Sequence, residues 1–162
     1  MNSNNHSSIN ETINLFNSQS KKLQDFVSQA LKNSEKLSIS EIIEVYYQVI
    51  NVTSLAKFLR QNFEGPKNTE VSKSLLTKIQ NIEKFIHEKF NSNLHPLIMS
   101  ELKKSIEISM KKLKNNTTSQ NEKTTKEKVE DQAKMYKKLR QIMSTKEFVD
   151  QYNIGLDNPL KN

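Results

Sequence analysis

Residues 38–66 read SISEIIEVYYQVINVTSLAKFLRQNFEGP, and this stretch decides the fold class. Ser38 followed by Glu41 has the spacing of a capping box, in which hydroxyl and carboxylate each accept a hydrogen bond from an orphan backbone N–H of the first helical turn. Ile42, Tyr46, Val49, Val52, Ala56, Leu59 and Phe63 then recur every three or four residues, which gathers them on one face of an α-helix. Ile43, Val45, Ile50, Leu55 and Phe58 widen that stripe, so the helix must touch more than one neighbour. Gly65 accepts the left-handed turn that closes a helix, and Pro66 refuses its continuation.

The same periodicity extends in both directions. Upstream, Ile9, Ile13, Phe16, Leu23, Val27 and Ala30 predict a helix over residues 9–33, behind a polar, asparagine-rich N-terminus at 1–8 expected to be disordered. Downstream, Val71, Leu75, Ile79, Ile82 and Ile86 predict a third helix from Thr69 to Phe90, with an exit at Asn91 to Asn93. Pro96 suits the first turn of a fourth helix, where its missing N–H costs nothing, and Ile98, Leu102, Ile106, Met110 and Leu113 carry that helix back along the third. Residues 9–113 are therefore expected to form an antiparallel, up-and-down bundle of about four helices. Residues 114–128 hold no apolar side chain and read as a polar linker. Beyond them a basic, amphipathic helical arm is expected over 129–153, with a second capping-box spacing at Ser144 and Glu147 starting a short sixth helix and a tail at 154–162.

The chain has two glycines, three prolines and no cysteine. Phosphate loops and nucleophile elbows lean on glycine, and disulfides and thiolate sites need cysteine, so these chemistries have little or no material here. Leu, Ile, Val and Phe fill 43 of 162 positions, above the roughly 20% below which a chain stays disordered. No run approaches the roughly 18 apolar residues of a membrane span, and no secretory layout opens the sequence, so a cytoplasmic or nuclear protein is expected. The histidines at 6, 87 and 95 are read as a polar-terminus residue, a surface partner of Glu83 and a turn residue. Glu130 and Asp131 are adjacent and diverge on a helix. No cofactor, metal or catalytic set is expected, and the chain reads as a non-enzymatic protein.

Two surfaces remain. Residues 101–146 hold 13 basic against 6 acidic side chains, equal to the whole net charge of +7. Within them Lys111, Lys112, Lys114, Lys134, Lys137, Lys138 and Arg140 are candidates for contact with nucleic acid or anionic lipid, although 23 lysines against two arginines disfavour bidentate reading of base edges. The second surface is apolar: Val129, Ala133, Met135, Tyr136, Leu139, Ile142 and Met143 form a face that a four-helix core does not need. It must pack across its own bundle or meet a partner helix, from another subunit or from a second copy. The 9–30 seam is the other expected helix-pairing surface.

Overall fold

The computed structural model describes residues 2–63, 70–118 and 125–153. They form α1 (Asn2–Lys32), a 3-10 turn (Ser34–Lys36), α2 (Ile39–Phe63), α3 (Glu70–Phe85), a π-helical segment (Ile86–Leu94), α4 (His95–Thr118) and α5 (Thr125–Asn153), with no strand among the described residues. Because α3, the π segment and α4 follow one another without a break, the described residues make four rods, each antiparallel to the next. α1 packs along α2, α3 along α2, the π segment on α1, and α5 along α4 and α2. The protein is an all-α helical bundle.

One core runs through all four rods: Phe16, Leu23 and Val27 of α1, Tyr46, Val49 and Leu59 of α2, Ile79 of α3, Ile86, Phe90 and Leu94 of the π segment, Ile98 of α4 and Val149 of α5 are buried together. The expected seam of α1 is thereby consumed inside the molecule. The capping box at the start of α2 forms as its spacing implies, with Glu41 N–H donating to Ser38 Oγ at 3.1 Å and Ser38 N–H donating to Glu41 Oε1 at 3.3 Å.

Several boundaries differ from the sequence reading. α1 begins at Asn2 rather than Ile9. α4 runs on to Thr118 and α5 starts at Thr125, so the polar stretch at 114–128 is helical at both ends. At the start of α5, Lys126, Glu127 and Lys128 are good helix formers. α5 passes Ser144 unbroken, and Thr145 inside it donates to the Gln141 carbonyl at 2.8 Å. The Gly65–Pro66 stop and the 154–162 tail lie outside the described residues.

The largest correction concerns Asn91 to Asn93, where the chain does not turn. Apolar residues from position 86 onward recur strictly every fourth residue: Ile86, Phe90, Leu94, Ile98, Leu102 and Ile106. An α-helix turns once in 3.6 residues, so positions four apart creep round its surface. The wider i→i+5 turn of a π-helix opposes that creep. Ile86, Phe90 and Leu94 all stay buried as a result. His95 N–H donates to the Phe90 carbonyl, five residues back, and Asn93 Nδ2 donates to the Glu88 carbonyl at 2.9 Å. Pro96, which in an α-helix interior clashes with the carbonyl four positions earlier, stands in the first turn of α4 as expected, but directly behind this widened segment rather than after a turn. The role of the expected fourth helix, running back along its predecessor, passes to α5.

Tyr46 sits against this segment. Its ring meets Phe90 edge-on at 5.0 Å, and its hydroxyl shares a hydrogen bond with His95 Nδ1. Burial, and secondarily the negative charge of Asp150, push the phenol well above its ordinary value of 10.0. The unfolded chain therefore releases this proton near pH 10 while the folded one retains it. The contribution of this group is unchanged below pH 10, and above it the stability is expected to fall by about 1.4 kcal/mol for each pH unit. Urea midpoints near pH 9 and pH 11 measure this, and Tyr46→Phe should flatten the difference; an equal alkaline loss in the variant assigns it to other groups.

Candidate interaction surface

The distal parts of α4 and α5 form an antiparallel hairpin in which each helix covers one side of the other. α4 contributes Leu102, Ile106, Ser109 and Leu113 to the seam, of which Leu102, Ser109 and Leu113 are buried and Ile106 partly so. α5 answers with Met135, Leu139 and Ile142, partly or fully buried. Its last turns gain a second neighbour: Phe148 and Tyr152 stack beside Tyr47 of α2, at 5.2 and 6.3 Å between ring centroids. Ile142 and Val149 join the common core, so α5 is not a body with an apolar face wholly its own.

The apolar set expected to bind a partner is thus divided. Met135, Leu139 and Ile142 hold α5 to α4. Val129, Ala133, Tyr136 and Met143 stay exposed, with Val129 and Tyr136 at 59% and Met143 at 46%. Two α4 residues, Ile108 at 53% and Met110 at 57%, are also exposed. The sequence reading placed Met110 inside a core stripe, because it shares the four-residue spacing of Ile98, Leu102 and Ile106. By position 110 that spacing, in a regular α-helix, has crept to the rim of the seam.

At about 100° per residue, the seam divides two edges of the hairpin. On one edge lies an open groove of about 550 Å3 lined by Lys103, Ile106 and Glu107 of α4 and Met143, Lys146 and Glu147 of α5. One turn further along each helix, Met110 and the Leu139–Tyr136 pair continue its apolar floor. A shallower hollow on α5 alone, over Ala133, Tyr136, Lys137 and Arg140, adjoins it. The opposite edge is polar apart from Ile108, and carries Lys112, Lys134 and Lys138. All seven lysine and arginine candidates are exposed, but they do not form one patch. Lys114 and Arg140 fall toward the apolar edge, and Lys111 and Lys137 point outward between the two.

Other polar features serve the bundle. Glu83 is buried and pairs with Arg60 of α2 at 2.5 Å, whereas the sequence reading joined it to His87. His95 lies within a helix beside Tyr46, not in a turn. No group of three His, Cys, Asp or Glu side chains able to hold a metal occurs among the described residues, and no helix there is long and apolar enough to cross a membrane. A hollow at the α1–α2 turn, between Phe26, Ala30, Lys36 and Glu41, mixes polar and apolar walls. The surface of the α4–α5 hairpin is the feature that burial leaves unexplained. No protein-family model, curated protein or solved structure matches the chain.

Proposed function

We propose that this protein is a non-enzymatic helical interaction module, a subunit or adaptor of an intracellular assembly, that grips a partner through the apolar edge of its α4–α5 hairpin. One observation carries the reading. Among the described residues ten large apolar side chains stand at least about a third exposed, and four of them, Met110, Val129, Tyr136 and Met143, fall on this one edge. Contiguous apolar surface of this kind is uncommon on a chain that works alone. Met110 and Met143 suit it, since flexible thioethers adapt to the shape of an incoming helix. The absence of cysteine agrees with a reducing compartment.

A second reading, binding of nucleic acid or anionic lipid, is favoured by the exposure of Lys112, Lys134 and Lys138 on the polar edge. One experiment separates the two. Full-length protein carrying Met110→Gln, Tyr136→Gln and Met143→Gln should lose its stoichiometric protein partners in quantitative co-purification, while Lys134→Glu, Lys137→Glu and Lys138→Glu should keep them. The reverse pattern replaces the first reading by the second. Met135, Leu139 and Ile142 are unsuitable probes because they hold the hairpin together.

A further inference from the structure

We infer that a second copy of this chain occupies the α4–α5 groove, the two hairpins packing antiparallel about a two-fold axis; the inference rests on the reading of this edge as a partner surface and names the partner. The groove lies on an open face. α2 packs against the other side of α5, where Phe148 and Tyr152 stack beside Tyr47, roughly half a turn round the helix from Met143. Two antiparallel rods thus present an apolar furrow, floored by Ile106 and Met143 and continued by Met110 and Leu139. Two such pairs laid face to face make a four-helix core of the kind the bundle itself uses.

Charge selects this occupant. The walls of the groove carry two lysines and two glutamates, Lys103, Glu107, Lys146 and Glu147, and Lys146 is bonded to Asp150 of its own helix at 3.3 Å. Arg140, two turns before Glu147 on the same side of α5, restores the balance. Lys103, Glu107, Arg140 and Glu147 are all exposed, and no described residue is ion-paired with any of them. Their order is self-complementary. Lys103 and Glu107 stand about 6 Å apart along α4 with their midpoint beside Ile106, and Arg140 and Glu147 about 10 Å apart along α5 with theirs beside Met143. Ile106 and Met143 line the same groove from its two sides. One two-fold axis passing between them therefore sets Lys103 of each copy against Glu107 of the other, and Arg140 against Glu147, while Ile106 and Met143 meet their own counterparts at the centre. The hairpin's positive excess stands elsewhere: Lys111 and Lys137 point outward, and Lys112, Lys134 and Lys138 occupy the polar edge. A partner helix of one sign, acidic or basic, would find two of the four charges repulsive.

Sedimentation equilibrium of the full-length protein between about 1 and 100 μM should show reversible dimers. Lys103→Glu sets glutamate against Glu107 at both symmetric contacts, and Glu107→Lys sets lysine against Lys103. Each variant alone should dimerise at least about tenfold more weakly, with its helix content unchanged. Mixed in equal amounts, the two variants bring opposite charges together again and should form a heterodimer of about wild-type affinity. Mixing cannot rescue a role that these residues play inside one chain. Met143→Gln, at the centre of the interface, should also weaken dimers by about tenfold or more. A wild-type chain that stays monomeric throughout this range overturns the second copy, and co-purification with the triple glutamine variant then decides whether the edge still meets a different protein. Dimers that ignore both charge variants and Met143→Gln, or a mixture that fails to pair, overturn it as well and place self-association on another surface.

Discussion

Replacing Phe90 by alanine is expected to lower the unfolding free energy by about 3 to 5 kcal/mol. The side chain is fully buried in the middle of the π-helical segment, where it meets the edge of Tyr46 at 5.0 Å and lies 6.2 Å from the His95 ring. Truncation removes its transfer free energy and leaves a cavity between rods that cannot collapse freely, because the helix on either side of it is continuous. Against a typical total of about 5 to 15 kcal/mol, this loss would leave a large fraction of molecules unfolded on modest heating. Phe58→Ala is the control. Phe58 is 46% exposed on α2, and its truncation should cost less than about 1 kcal/mol. Urea unfolding followed by circular dichroism measures both. A Phe90→Ala loss no larger than that of Phe58→Ala would mean that the π segment is not part of the core.

Phe90 also shows where the sequence was legible and where it was not. Wherever apolar spacing alternated between three and four and a turn signal closed the run, the reading found the buried face: Phe16, Leu23, Val27 and Ala30 on α1, and Ile42 through Leu59 on α2, with the Ser38–Glu41 box at its start. Between 86 and 106 two signals conflicted. Asn91, Ser92 and Asn93 favour a helix exit through local polarity, while the unbroken four-residue spacing favours continuation at a wider turn. Burial of Phe90 and Leu94 outweighs the weak propensity of three exposed or half-exposed polar residues. The spacing itself was the available signal. Once the third helix failed to end, every later assignment shifted: α5 took the place of the fourth rod, its Met135–Ile142 side turned inward, and half of the expected partner face disappeared into the hairpin. Which edge of that hairpin stays apolar depends on both helices at once, so a reading of α5 alone could not supply Met110.

Arg60→Met is expected to destabilise the protein by about 2 to 3 kcal/mol, and the double variant Arg60→Met with Glu83→Met by less than the single one. Glu83 projects from α3 with a side chain only 8% exposed, and the Arg60 guanidinium of α2 approaches its Oε1 at 2.5 Å. Taking a carboxylate out of water is costly, and an arginine beside it offsets that cost. Removing the arginine alone leaves the charge in its buried position with less compensation. Removing both replaces a desolvated pair by methionine side chains that can pack, which is often neutral or better. The range is set below that of a fully enclosed pair because the Arg60 side chain is 24% exposed and solvent screens it. The pair stands where α2 approaches α3, with Leu59 and Ile79 buried in the same core, so it ties the rods together at the end of the molecule away from α5. Chemical unfolding of the wild type, the two single variants and the double variant closes a thermodynamic cycle. A double variant whose loss equals the sum of the singles would show that the two charges do not stabilise one another.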